Sequence, residues 1–221
     1  MFDTLARYQP AAGRLVLPDV CCDVTFAGNQ VNVSGPLTHA RESLAIGQDV
    51  VLLRIAPAAA YGLLRVPISA LTNYVVPLDQ VHRDLGRELE RAHERGQLAG
   101  LVARPTPAVE GDPRFDAAAA ALGRGFPVRR VASMVGLSER QLERLFNLRA
   151  GLAPKAFARI LRVRRALISA RRGGSLAAAA AAHGFADQAH FNRDVRSLTG
   201  RAPGSVVPNV GSVQDIIAGT I

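Results

Sequence analysis

The sequence predicts an α+β chain in two parts. The first is a small β-rich domain that ends in a helix, and the second is an all-α domain of two helix-turn-helix units joined by a long helix. Three observations predict this. The first half carries short apolar runs punctuated by Gly and Pro, one of them alternating with period two. The second half holds a pattern that occurs twice, 49 residues apart. Leu142-Glu143-Arg144-Leu145-Phe146 leads to Gly151-Leu152-Ala153-Pro154, and Phe191-Asn192-Arg193-Asp194-Val195 leads to Gly200-Arg201-Ala202-Pro203. The charge divides between the same two halves. Residues 1–113 hold 10 Arg against 12 acidic residues, a net of −2, while 114–205 hold 17 Lys plus Arg against 5 acidic residues, a net of +12.

Taken in order, Gly13-Arg14-Leu15-Val16-Leu17 reads as a strand that ends at the Pro18-Asp19 turn. A second strand covers 20–26 and stops at Gly28-Asn29. Gln30-Val31-Asn32-Val33-Ser34 alternates polar and apolar residues, as a half-buried strand does. A further strand spans 49–55 and closes at Pro57, and short helical pieces are expected over 58–64 and 69–73. Together these strands predict a small sheet or barrel. From Leu78 the period changes: Leu78, Val81, Leu85, Leu89 and Ala92 share one helical face. That face suits either packing on its own domain or dimerisation. Arg104-Pro105-Thr106-Pro107 and Gly111-Asp112-Pro113 read as a linker. The predicted organisation is therefore 1–103 for the β-rich domain that ends in a helix, 104–113 for the linker, 114–205 for the helical domain and 206–221 for a tail.

In the helical domain the first helix covers 115–122, and Pro127 opens the next, 128–135, where proline suits a first turn. Gly136-Leu137 turns the chain and Ser138 caps the following helix. Leu142, Leu145 and Phe146 then face inward, leaving Arg140, Gln141, Glu143 and Arg144 on open faces. A long basic helix, 154–170, carries Arg159, Arg162, Arg164 and Arg165, and Gly173-Gly174 stops it. Ser175 caps 176–182, His183-Gly184-Phe185 turns, and 187–198 forms the second unit's outer helix. Phe191, Val195 and Leu198 point inward there, with Gln188, His190, Asn192 and Arg193 as candidates for the outer face.

These residue types suit double-stranded DNA. An α-helix fits the major groove; Arg pairs with guanine, and Gln and Asn with adenine. Two helices on one rigid connector could enter successive major-groove segments about 34 Å apart. Other arginines, Arg162 and Arg165 among them, would hold phosphates without reading sequence. The two outer faces differ, Arg140/Gln141/Arg144 against Gln188/His190/Arg193, so one chain would recognise an asymmetric site.

On these residues the region 114–205 resembles the AraC/XylS-type DNA-binding domain of bacterial transcription regulators. The resemblance is carried by Val131-Ala132, by Gly136-Leu137-Ser138-Glu139-Arg140-Gln141-Leu142-Glu143-Arg144-Leu145-Phe146, and by Gly184-Phe185-Ala186-Asp187-Gln188-Ala189-His190-Phe191-Asn192-Arg193 with Leu198-Thr199-Gly200-Arg201-Ala202-Pro203. It implies seven helices and two recognition helices. Arg140, Gln141 and Arg144 would reach bases from the first, and Gln188, His190 and Arg193 from the second. Ser138, Asn192, Arg162 and Arg165 complete the candidate DNA-binding set. The chain departs from the family after Pro203, where Ser205-Val206-Val207 stand in place of an aromatic and a basic residue, so an altered last helix is expected. A short capped helix over 212–219 would take its place. The first half is similar, over Leu17-Pro18-Asp19, the 50–55 strand and the 67–77 segment, to cupin-like sensor domains fused to such regulators.

Other classes fare less well. No apolar run reaches the roughly 20 residues of a membrane span, and Met1-Phe2-Asp3-Thr4 has no signal-peptide character. A cytoplasmic, nucleoid-associated protein without membrane contact is expected. His39, His82 and His93 are scattered, which predicts no metal site, no cofactor and no catalytic residues. Cys21-Cys22 is adjacent and ill-suited to bridging itself. It reads as two reduced thiols on opposite faces of a strand, or as a thiol or metal sensor. The leading expectation is a sequence-specific transcription regulator whose partners are DNA, RNA polymerase, a small-molecule effector and a second copy of the chain. The alternatives are a non-specific architectural DNA binder and a cysteine-based DNA alkyl-repair regulator.

Overall fold

A computed structural model describes residues 2–10, 15–43, 47, 49–103 and 111–209. Five strands form one antiparallel sheet in the order β1-β6-β3-β4-β7: β1 Phe2–Tyr8, β6 Val50–Ile55, β3 Cys22–Ala27, β4 Gln30–Ser34 and β7 Val75–Pro77. Two short strands, β2 Leu15–Val16 and β5 Arg41–Glu42, make a separate ribbon. Every side chain of β6 is buried, as expected for an apolar strand covered on both faces. Its one charge, Arg54, bonds Asp19 at 2.8 Å and Asp23 at 2.8 Å in the interior.

The expected strands are present with shifted ends, and three more join them. β1 lacks a two-residue alternation and is held by pairing with β6, with an irregularity between Phe2 and Thr4. β7 sits at an edge, where its Pro77 is tolerated. Pro57 begins α1, Pro57–Leu64, rather than merely closing the strand, and the 69–73 piece is a 3₁₀ turn over Ile68–Ala70. The helix from Leu78 is broken. His82 leaves helical geometry, ending α2 (Leu78–Val81), and its Nδ1 accepts the Leu85 N–H at 3.3 Å as the cap of α3 (Arg83–Glu94). Leu78, Leu85 and Leu89 pack on their own domain's core, as does Leu98 of α4 (Leu98–Ala103). The linker's first part, 104–110, and the 212–219 helix lie outside the described residues. Gly111-Asp112-Pro113 leads directly into a helix, for which Asp112 is the cap.

Seven helices follow: α5 Pro113–Gly123, α6 Val128–Met134, α7 Glu139–Ala150, α8 Pro154–Arg171, α9 Leu176–Ala182, α10 Gln188–Thr199 and α11 Pro203–Val206. The last is short, and its Val206 is fully buried. The two helix-turn-helix units share one core, from Phe115 and Phe146 through Phe157 and Leu167 to Phe191 and Val195. Leu15, Leu17, Val20 and Cys21 of the N-terminal half enter the same core. The adjacent cysteines thus divide between cores: Cys21 packs with the helices and Cys22 with the sheet.

Candidate nucleic-acid interface

The two units are built alike. In each, a short helix ends in a tight turn at a glycine with positive φ, Gly136 at 66° and Gly184 at 74°, a conformation other residues rarely adopt. A capped helix follows. Ser138 Oγ accepts the Gln141 N–H at 3.2 Å, and Gln141 Oε1 accepts the Ser138 N–H at 2.8 Å. This reciprocal arrangement satisfies two helix-end donors at once. Asp187 Oδ1 accepts the His190 N–H at 2.6 Å and so caps α10 through a single donor. The caps put Arg144 and Arg193 at the same position, six residues on, and both are exposed.

Around that position the faces diverge. On α7, Arg140, Gln141, Glu143 and Arg144 are exposed, but Gln141 is bonded to Ser138, so these two side chains serve the helix end. On α10, Gln188, Ala189, Arg193, Arg196 and Ser197 are exposed. Arg196, one turn beyond Arg193, escaped the sequence reading. The periodicity Ala189-Arg193-Arg196, opposite the inward Phe191-Val195-Leu198, is the signal that exposes it. Asn192 turns toward the protein: its Oδ1 is buried and, among the described residues, finds no hydrogen-bond partner. His190 is half-buried, with its ring 5.3 Å from that of Phe185 and its Nε2 3.8 Å from Asp194.

Arg162 and Arg165 are engaged inside the domain. Arg159 and Arg162 of α8 both bond Asp194 of α10, at 2.9 and 3.0 Å. The Arg162 guanidinium lies 4.5 Å from the centre of the Phe185 ring, a cation–π geometry. Arg165 donates to the Gly123 carbonyl. Arg159, Arg162, Arg165 and Asp194 line a cleft of about 920 Å³ between the two units, with Arg124, Lys155 and His183 on its walls. Burial holds the His183 imidazole below its ordinary range, and nearby Arg165 adds to this.

The other sequence-stated candidates resolve plainly. Both cysteines are buried, and burial pushes both thiols up, away from the thiolate. A reactive cysteine needs the opposite, an exposed site that favours the anion. No group of three or more His, Cys, Asp or Glu residues suited to a metal occurs among the described residues, nor is any described helix long and apolar enough to cross a membrane.

Comparison with known proteins adds to this geometry. The chain resembles ToxT from Vibrio cholerae in a 1.65 Å structure at 9% identity, covering 95% of this chain and 98% of that one, with a TM-score of 0.47. For unsaturated fatty acid-bound ToxT the identity is 11%, the coverage 94% of both chains and the TM-score 0.44. No curated relative matches the sequence. The family model for a helix-turn-helix domain matches residues 131–207, spanning both units from α6 to the turn after α11. The match lies within the helical half of the chain, and what it shows there is a helix-turn-helix domain.

Proposed function

We propose that the chain is a sequence-specific DNA-binding regulator of transcription that places α7 and α10 in successive major-groove segments. The observation that carries this is the pair of capped helices presenting Arg144 and Arg193 at equivalent positions, within a domain of net charge +12. Arg140, Arg144, Gln188 and Arg193 would contact base edges, with Arg196 beside them. Ser138 and Gln141 would set the α7 end, and His190 and Asn192 would hold α10 in place. Arg162 and Arg165 would lend charge to the cleft while joining the units. Because the two faces differ, the bound site is asymmetric.

The N-terminal sheet domain would carry the regulatory input. A cleft of about 360 Å³ lined by Leu5, Arg7, Val51, His93 and Leu98 falls in the size range of small-molecule pockets. A small effector there, a second copy of the chain and RNA polymerase are the partners this reading requires. A binding titration on promoter DNA from neighbouring genes tests the core of it. The expected result is a preferred site that survives moderate salt, while non-specific binding weakens steeply as phosphate contacts are screened. Equal affinity for every sequence would leave only a non-specific architectural role.

A further inference from the structure

The repeated Gly-x-Ala-Pro exits have a structural partner that the DNA-binding reading does not use. Each recognition helix ends at such an exit, Gly151 after α7 and Gly200 after α10, and the N-terminal domain hydrogen-bonds to both ends. Thr72 Oγ1 donates to the Gly151 carbonyl at 2.7 Å. The approach is close enough that a Cβ on Gly151 would lie 2.8 Å from the Ile68 carbonyl oxygen. At the other unit, the Ala40 N–H donates to the Leu198 carbonyl at 2.7 Å, and Arg201 pairs with Glu42 at 2.5 Å.

The two N-terminal segments that make these contacts are joined to each other. Gly35 N–H donates to the Tyr74 carbonyl at 3.1 Å and Asn73 N–H to the Pro36 carbonyl at 2.9 Å. Asn73 Oδ1 then accepts both the Thr38 N–H, at 2.8 Å, and the Thr38 hydroxyl, at 3.0 Å. Asn73 has a positive φ of 66°, a conformation that Asn tolerates better than most residues. A hydrogen-bonded line therefore runs from the end of α7 through Thr72, Asn73, Thr38 and Ala40 to the end of α10. The helix α8 connects the same two units from the other side. Two connections close a ring where one would leave a hinge.

We propose that segments 35–42 and 67–74 form a bracket that fixes the spacing of the two recognition helices, with Asn73 as its positioning residue. This rests on the DNA-binding reading. One added base pair shifts the second element by about 3.4 Å and rotates it by about 34°. A ring of fixed geometry rejects such a site, whereas two units on a hinge accommodate it.

The test uses the full chain and begins with a site selected from a random DNA pool. Affinity is then measured for that site and for versions with one base pair inserted or deleted between its two elements. The intact protein is expected to lose about tenfold or more on the altered spacings. Asn73→Gly keeps the backbone conformation and removes both bonds from Thr38; it should reduce that loss to about threefold or less. Asn73→Asp, which keeps the acceptor, should restore the discrimination. Thr72→Val removes the hydroxyl, with its bond to Gly151 and its longer contact to the Ile68 carbonyl at 3.4 Å, and provides a second variant should the first not fold; it should likewise flatten the spacing preference. Hydrogen exchange at the Ala40 amide reports whether the bracket has loosened. Faster exchange at Ala40 with the spacing discrimination unchanged overturns the bracket. Failure of the intact protein to select any site overturns the DNA-reading proposal and the bracket with it.

Discussion

In the first helix-turn-helix unit, the residue seven places beyond the cap is Leu145, which packs on the common core. In the second unit the same place holds Asp194, which binds Arg159 and Arg162 of the connecting helix. The surroundings differ in the same sense. Phe146 is ringed by Phe115 at 4.9 Å and Phe157 at 5.2 Å, whereas Phe191 has Phe185 at 5.0 Å. The far end of α7 is covered by the N-terminal domain, where Asn147 and Leu148 are half-buried and the buried Arg149 lies 5.2 Å from the Tyr61 ring centre. The matching positions on α10, Arg196 and Ser197, are open. One repeated scaffold has thus produced an apolar, enclosed unit and an ionic, exposed one. The first is suited to anchoring and the second to a longer reading face.

The largest expected effect tests the enclosed half of that comparison. Truncating a buried Phe costs roughly 3–5 kcal/mol, through lost transfer energy and the cavity left behind. Phe146→Ala should fall at the upper end of this range and Phe191→Ala at the lower, because Phe146 loses two ring neighbours. Urea unfolding of the two variants measures it. Equal losses would mean that the units contribute alike to one shared core and that the contrast is only local.

Next comes the ionic attachment. Asp194→Ala removes an acceptor from two arginines, and hydrogen bonds to charged groups contribute about 1.5–3 kcal/mol. The Asp194 carboxylate is 13% exposed and its partners about a third, which places the effect in the lower part of that range. Leu145→Ala should instead act as a core truncation whose cost is indifferent to salt. Thermal unfolding at low and high ionic strength separates them: the Asp194 effect should shrink in salt and the Leu145 effect should not.

How the repeat was legible in sequence follows from the same contrast. Helix starts, inward faces and turns depend on local chemistry, so Ser138, Ser175, Asp187 and the two turn glycines placed α7, α9 and α10 within a residue or two. The N-terminal strand β1 depends on β6, a partner some 50 residues away, and its own residues carry no alternation. The break at His82 depends on one side chain accepting a backbone N–H, which periodicity cannot register. For the candidate site, residue type alone placed Gln141 among the base readers and Asn192 on the outer, DNA-facing side. One is held by a capping bond and the other turns its oxygen inward, and both facts require neighbours in space. Arg196 was missed for the opposite reason: it lies outside the repeated pattern that drew attention to Arg193.

The DNA contacts bring the comparison to its functional end. Arg144→Ala and Arg193→Ala should each weaken specific binding by about 1–3 kcal/mol if they reach base edges, with preference relaxed at one position of the site. Arg196→Ala should add to the loss at α10, while Asn147→Ala at the matching place on α7 should do little. Anisotropy titrations on the selected site and on single-base variants read this. A uniform loss across sequences for Arg193→Ala would reassign that residue to phosphate contact.

The smallest effect asks what Gln141 does. Its side chain closes the reciprocal cap with Ser138, so Gln141→Ala should lower stability by about 0.5–1 kcal/mol, within the range for cap losses. Base preference should stay unchanged. At the equivalent place in the second unit, His190→Ala leaves the Asp187 cap intact, because that cap uses the His190 backbone N–H. It would instead disturb the packing against Phe185 and the approach to Asp194. Thermal unfolding of both variants, paired with selection from a random pool, gives a direct reading. A changed base preference for Gln141→Ala with unchanged stability would show that the glutamine releases Ser138 on DNA and turns to a base. The first unit would then read through a residue that holds its helix end when DNA is absent.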